Sequence, residues 1–139
     1  SIERYIFPTC CHPIPGDDIL GYIDNKGRIE VHKRACPVAN RLKSSYGNRI
    51  LDAKWDMHGK MLFDATIEIR GIDRHGLLRD VADVISGQLN IDMRKLVISG
   101  EEGVFDGTID LRVHDRNETQ EIVDKLKDID GIHEVQRII

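Results

Sequence analysis

Apolar and polar residues follow two clear periodicities in the second half of the chain. Positions 63–70 alternate between apolar and polar side chains, which predicts a half-buried β-strand closed by Gly71. Apolar residues then recur at helical spacing over 77–85. This spacing predicts a helix that Asp73 or a neighbour caps and that ends near Gly87.

The pattern continues with two strands, a helix and a final strand. Residues 91–99 are apolar enough for a strand, although the alternation slips phase near Lys95, which either a bulge or burial on both faces explains. Positions 104–114 alternate cleanly and complete a hairpin. A helix capped by Asp115 follows, and a last strand is predicted over 132–139. The order β-α-β-β-α-β is that of a ferredoxin-like fold, with two helices covering one face of an antiparallel sheet.

The first half contains shorter elements separated by turn residues. A short apolar strand over 19–23, turn residues over 24–27 and alternation over 28–32 predict a β-hairpin. Pro37 suits the first position of a helix that ends near Gly47. A short strand is predicted over 50–55. The whole chain therefore belongs to the α+β class, with a small hairpin, helix and strand domain followed by a ferredoxin-like domain.

Composition divides the chain at the same place as the pattern. The 139 residues are 40% hydrophobic and 32% charged, which is typical of one folded domain or two small ones. All three cysteines and all four prolines fall in the first 60 residues, which carry 10 Lys/Arg and 7 Asp/Glu, a net of +3. Residues 61–139 carry 10 Lys/Arg and 17 Asp/Glu, a net of −7. We therefore predict two domains, 1–60 and 61–139.

Other features of the sequence indicate its compartment. The sequence has no apolar run long enough for a membrane span and no secretory leader, so we expect a cytoplasmic chain with reduced thiols and no membrane contact. Because the chain starts at Ser1 rather than Met, we expect a processed chain or an excised fragment.

Four residues of the first half form a candidate metal site, namely Cys10, Cys11, His32 and Cys36. His32 ends the predicted hairpin and Cys36 occupies the N-cap of the predicted helix, where the helix dipole favours a thiolate. About 60 residues provide a marginal core, so a structural zinc ion would stabilise this domain. Adjacent cysteines point in different directions along an extended chain, however, and the alternative is that the thiols pack as small apolar groups.

Basic residues near the hairpin and the helix form a candidate RNA-binding surface. The candidates are Arg28, Lys33, Arg34, Arg41 and Lys43. On charge alone, an ordinary solvated cationic face explains these residues better than an RNA contact does.

The loop over 71–78 is a candidate ligand site in the second half. Its glycines permit close backbone approach, and the start of the following helix favours an anion such as an amino-acid carboxylate. The candidate ligand-binding residues are Asp73, Gly76, Leu77 and Asn90. The alternative is that these residues only turn the chain and cap the helix. The sequence contains no phosphate-binding loop and no HExxH motif, so its motifs favour binding or regulation over catalysis.

Three passages together resemble a known protein family. Residues 9–21 and 32–37 read TCCHPIPGDDILG and HKRACP. They resemble the conserved-cysteine domain of RelA/SpoT proteins, also described as a zinc-finger or ribosome-intersubunit domain. Residues 71–78 read GIDRHGLL and are similar to the first loop of an ACT domain. The family usually has an acidic residue just before the last cysteine, where this chain has Ala35; the candidate ligands are unaffected.

The resemblance implies a regulatory role inside a larger enzyme. The parent would synthesise and hydrolyse (p)ppGpp, the alarmone of the bacterial stringent response. Its synthetase, a GTP pyrophosphokinase, would transfer pyrophosphate from ATP to GTP or GDP, and its hydrolase would use manganese. Both catalytic domains would precede this chain, which would itself be the non-catalytic C-terminal end. The resemblance also implies contact with ribosomal RNA near the A site when uncharged tRNA is present, and restraint of synthesis away from the ribosome.

Two other functions remain open from the sequence. One is an ACT module that senses a branched-chain amino acid. The other is a purely structural module that forms a homodimer.

Overall fold

The structure is a computed structural model that describes residues 4–56 and 61–139. The described residues fall into two compact units, one within residues 1–60 and the other within residues 61–138. The strands and helices of the first unit are β1 (Tyr5–Ile6), β2 (Ile19–Ile23), β3 (Ile29–Lys33), α1 (Pro37–Ser45), a 3₁₀ helix (Gly47–Arg49) and β4 (Ile50–Asp52). Its sheet has the order β1-β3-β2-β4.

The predicted hairpin and helix of the first unit are confirmed, and the differences lie at the ends of elements. Strand β1 is too short to show an alternating pattern, and it pairs in parallel with β3. Helix α1 ends at Ser45, and Gly47 begins a 3₁₀ helix instead of closing α1. The last strand stops at Asp52, because Trp55 turns away to donate its indole N–H to the carbonyl oxygen of Asp17 at 3.1 Å.

The second unit has the predicted β-α-β-β-α-β order. Its elements are β5 (Phe63–Ile72), α2 (Leu77–Ala82), a π-helix (Asp83–Gln88), β6 (Asp92–Glu101), β7 (Val104–Val113), α3 (Arg116–Lys127) and β8 (Ile132–Arg137). The strands are antiparallel in the order β6-β7-β5-β8. The alternating apolar residues of β5 and β7 are buried with the apolar sides of the two helices, for example Ile67, Ile109, Ile85 and Leu126. The α+β class and the ferredoxin-like architecture are confirmed.

In the second unit, one predicted boundary is wrong, and one predicted helix ends near the expected residue but changes its form along its length. Strand β5 continues through Gly71 to Ile72, and its register with β8 shifts between Arg70 and Gly71. Helix α2 passes directly into the π-helix, so Gly87 lies within that helix and the helical segment ends at Gln88. A π-turn keeps the backbone hydrogen-bonded while it widens the helix, which a periodicity of 3.6 residues does not reveal.

The structure also shows the cause of the phase slip near Lys95, for which the sequence left two explanations open. The pairing of β6 with β7 shifts between Met93 and Lys95, so a bulge is the cause. The turn that follows is a tight one, in which Glu102 and Gly103 both have positive φ. Asp115 caps α3 as predicted, since its side chain accepts the N–H of Glu118 at 2.8 Å.

In the part of the chain that the structure describes, no helix is both long and apolar enough to cross a membrane.

Gly71 gives a direct test of the packing in the second unit. A Cβ at this position would overlap the carbonyl oxygen of Gly131 and would lie 3.0 Å from the Phe105 ring. Backbone atoms cannot move aside cheaply, so we expect Gly71→Ala to destabilise the unit by about 1–3 kcal/mol, the usual cost of overpacking. Urea unfolding followed by circular dichroism measures this change.

Gly87→Ala is the matched control for that substitution. A Cβ at Gly87 meets nothing within 4 Å, and alanine favours helix over glycine, so this variant should be neutral or more stable. Equal unfolding midpoints for the two variants would contradict the packing account.

Candidate metal centre

The four candidate metal ligands come from three elements of the first unit. Cys10 and Cys11 lie in the loop before β2, His32 lies on β3, and Cys36 is the N-cap residue of α1. The loop is not extended at the adjacent cysteines, because the N–H of His12 bonds the carbonyl oxygen of Pro8 at 3.1 Å and His12 has a φ of 44°. This turn removes the objection that adjacent cysteines diverge.

The donor atoms of these residues form a compact cluster. All four lie within 4.8 Å of one another. The Sγ atom of Cys10 lies 3.9 Å from that of Cys11 and 3.7 Å from that of Cys36. The Nδ1 atom of His32 lies 3.4 Å from the Cys10 sulfur and 4.0 Å from the Cys11 sulfur. The cluster could bind a metal ion, as the sequence predicts.

Burial and hydrogen bonds hold the ligands in this arrangement. His32 is only 1% exposed, and its other ring nitrogen, Nε2, lies 3.0 Å from a carboxylate oxygen of Glu30. The backbone N–H of Lys33 donates to the Cys11 sulfur at 3.4 Å. Cys11 and Cys36 are themselves buried. The donor atoms are therefore positioned by regular structure and not by loop side chains alone.

The thiols differ in how easily they ionise. Burial, with the neighbouring Cys36 and Cys11 thiols, raises the pKa of Cys10 to about 12. Burial also raises the pKa of Cys11. Burial opposes ionisation of Cys36 too, but the backbone N–H groups of Ala39 and Val38 at the start of α1 outweigh it and lower the pKa of Cys36 to about 7. Three thiolates so close together need a positive counter-charge, which a divalent metal ion supplies.

The chemistry of the cluster is that of a structural site. Three sulfurs and one imidazole nitrogen make a four-donor set, and a metal held by four protein ligands has no open position for substrate. Such a metal contributes to folding and does not take part in catalysis.

The candidate RNA-binding residues are distributed over several elements of the first unit. Arg28 forms an ion pair with Asp24 at 3.0 Å, and Arg34 bridges Asp18 and Asp52 at 3.0 and 3.2 Å. Lys33 ends β3. Arg41 and Lys43 are exposed on α1. The charges of Arg28 and Arg34 are therefore partly neutralised by nearby carboxylates.

The candidate ligand residues of the second unit do not all come together in one chain. Gly76 is the N-cap of α2 with a φ of 83°, and Leu77 is buried behind it. The side chain of Asp73 contacts Gly100, near the end of β6, and does not cap α2. Asn90 precedes the other end of β6, so at about 3.3 Å per residue the two side chains are roughly 25 Å apart.

The loop before α2 also has a structural role. Arg74 donates from Nε to the carbonyl oxygen of Asp130 at 2.7 Å and pairs with Asp80 at 2.6 Å. The guanidinium group beside Asp80 lowers the pKa of that carboxyl group. These contacts join the start of α2 to the turn between α3 and β8.

Comparisons with known proteins agree with this division of the chain. A family model described as the RelA/SpoT RIS domain matches residues 4–56. A second, described as the ACT domain, matches residues 59–137. The ACT domain of a GTP pyrophosphokinase from Chlorobium tepidum has a similar structure, with a TM-score of 0.51 and 27% identity over 56% of this chain and all of that one.

Curated relatives extend the similarity over both units. The bifunctional (p)ppGpp synthase/hydrolase RelA of Mycobacterium tuberculosis is 27% identical over 130 residues, which are 93% of this chain and 17% of the relative. The GTP pyrophosphokinase of Haemophilus influenzae is 29% identical over 136 residues, which are 93% of this chain and 18% of the relative. The chain thus spans less than a fifth of the length of these relatives.

The metal centre predicts a specific response to chelation. We expect the chain to bind one divalent metal ion. A chelator that removes the ion should lower the unfolding temperature of the first unit, because a metal that binds only the folded state stabilises that state. Cys36→Ser should abolish this binding. Native mass spectrometry measures the stoichiometry, and the fluorescence of Trp55 follows the unfolding of the first unit.

A histidine outside the cluster provides the control. His75→Ala removes an exposed imidazole of the second unit and should leave metal content unchanged. If the wild-type chain folds equally well with and without chelator and contains no metal, the cluster is only a group of packed thiols.

Proposed function

Because the chain belongs to the RelA/SpoT family, as a C-terminal regulatory region in which an ACT domain follows a RIS domain, we propose that it docks to ribosomal RNA and thereby controls upstream catalytic domains. The 139 residues match only RIS and ACT regions of enzymatic relatives, so the fragment itself is non-catalytic. In this proposal residues 1–60 are the RIS domain and residues 61–139 the ACT domain. The parent protein makes and hydrolyses (p)ppGpp in the cytoplasm.

The proposal is supported by one observation: a match to the RIS domain is followed by a match to the ACT domain, and together they cover nearly the whole chain. The relatives that share both are named for synthesis or hydrolysis of (p)ppGpp or for GTP pyrophosphokinase activity. In this proposal, regulation changes the populations of two arrangements of the parent protein. A partner that binds one arrangement more tightly than the other increases the population of that arrangement, and the catalytic state of the parent changes with it.

The metal in this proposal is zinc, held by Cys10, Cys11, His32 and Cys36. In a tetrahedral site with Zn–S bonds of about 2.3 Å, neighbouring sulfurs are about 3.8 Å apart. The observed separations of 3.9 and 3.7 Å between sulfurs suit that geometry. Zinc would hold the loop before β2, the end of β3 and the start of α1 together, which are the elements that present the basic side chains.

Helix α1 is the best-supported site for the proposed contact with ribosomal RNA. Arg41 and Lys43 are exposed there, in a half of the chain with a net charge of +3. RNA binding by such residues is mainly electrostatic and depends strongly on salt. Arg34 is a less direct candidate, because its reversal would also break the ion pairs with Asp18 and Asp52.

Charge reversal at Arg41 tests this contact. We expect Arg41→Glu to weaken co-sedimentation with ribosomes that carry uncharged tRNA in the A site. The logarithm of the association constant should also depend less steeply on the logarithm of salt concentration, with a slope reduced by about one or more.

Lys127→Glu makes the same change of charge in the last turn of α3 and is the matched control. It should bind ribosomes as the wild-type chain does. Binding of Arg41→Glu that is unchanged at every salt concentration would argue against docking through α1.

Amino-acid sensing by the ACT domain is the second function. Since Asp73 and Asn90 lie near opposite ends of β6, a site that uses both must be shared between two copies of the chain. Calorimetry with valine and isoleucine should therefore give binding heat only at concentrations where sedimentation shows a dimer. Binding to a monomer would contradict the shared site, and Asn90→Ala should then have no effect.

A further inference from the structure

Glu30 lies on the central strand of the first unit, two residues before the ligand His32. Strand β3 pairs with β1 on one side and with β2 on the other, and Glu30 is opposite Tyr22 while His32 is opposite Leu20. Side chains two residues apart on a strand share a face. The backbone of Glu30 is thus paired on both sides, with Ile6 and Tyr22, and that of His32 is paired with Leu20.

The two ring nitrogens of His32 face different partners. Nδ1 faces the sulfurs of Cys10 and Cys11, and Nε2 lies 3.0 Å from Oε1 of Glu30. An ionised carboxylate can only accept a hydrogen bond, so in the neutral ring the proton lies on Nε2. The lone pair of Nδ1 is then directed toward the thiols, where a metal ligand is needed.

We propose that Glu30 is a positioning residue of the metal centre. It accepts the N–H of His32, keeps the ring in the tautomer that can bind metal through Nδ1, and fixes the direction of that lone pair. This inference rests on the proposed zinc site and adds a residue outside the four ligands. The Glu30 side chain is 28% exposed, so it lies beside the buried ring and remains partly accessible to water.

The proposed role predicts how strongly different substitutions at Glu30 lower the affinity for zinc. Loss of such a partner typically weakens metal binding 10- to 100-fold, so Glu30→Ala should lower zinc affinity by about that factor. Glu30→Gln keeps an oxygen that can accept the N–H, and it should recover most of the affinity. Glu68→Ala is the matched control, since Glu68 is a strand carboxylate of the second unit that is 23% exposed and also accepts a side-chain hydrogen bond, from Gln136.

The test is a double-mutant cycle on the 139-residue chain, with zinc affinity measured by competition against a chromophoric chelator. His32→Cys keeps a fourth ligand but removes the ring. If Glu30 acts through that ring, Glu30→Ala should cost about 10- to 100-fold with His32 present and nothing on the His32→Cys background. Unfolding in the presence of chelator measures separately what the lost hydrogen bond to the buried His32 ring costs the metal-free fold, which separates positioning from a general loss of stability.

The outcomes separate this inference from the proposal on which it rests. A wild-type chain that binds no zinc overturns the metal centre itself. A wild-type chain that binds zinc no more tightly than Glu30→Ala overturns the role of Glu30 alone. An equal loss of affinity on the His32→Cys background also overturns it, because the effect would not then pass through the imidazole.

Discussion

The first unit depends on the burial of His32 among three thiols, because its core and its candidate metal site share residues. One hydrophobic cluster comprises Cys11, Leu20, Cys36 and Ala39, with Val38 and Ile50 packed against it. Two of its four buried members are thus candidate ligands. Protonated thiols pack as small apolar groups and add little to a core of this size. A metal ion at their centre would connect the loop before β2, strand β3 and the start of α1.

The second unit obtains its stability in another way. Its sheet and helices bury a continuous set of large aliphatic side chains from β5, β7, α2 and α3. The opposite face of the sheet carries charges, with Arg70 placed among Glu68, Asp106 and Glu134. Surface ion pairs of this kind contribute little to stability, so the packed side chains determine the fold. The two units therefore differ in physical basis as well as in charge.

This difference is relevant to the proposed role as a regulatory region. In the proposed zinc-bound state Cys36 is a ligand and directly precedes α1, so metal binding would also fix the start of the helix that carries the exposed Arg41 and Lys43. In the second unit, the loop before α2 is joined to the α3–β8 turn through Arg74.

Local pattern predicted the order of the elements other than β1 and the four residues that the structure brings together as the candidate metal cluster. No tertiary information was needed for the alternation over 28–32 and 104–114 or for the start of α1 at Pro37, because side-chain period and proline geometry are local properties. Three features depend on partner strands, so the sequence did not reveal them or left them open. They are strand β1, the bulge near Lys95 and the passage of β5 through Gly71.

Glu30 was missed for a similar reason. A lone glutamate on a strand becomes part of a metal centre only when the fold turns the His32 ring so that Nε2 faces it. The separation of Asp73 from Asn90 was likewise decided by tertiary structure, since the length of β6 lies between two residues that the sequence had placed in one site.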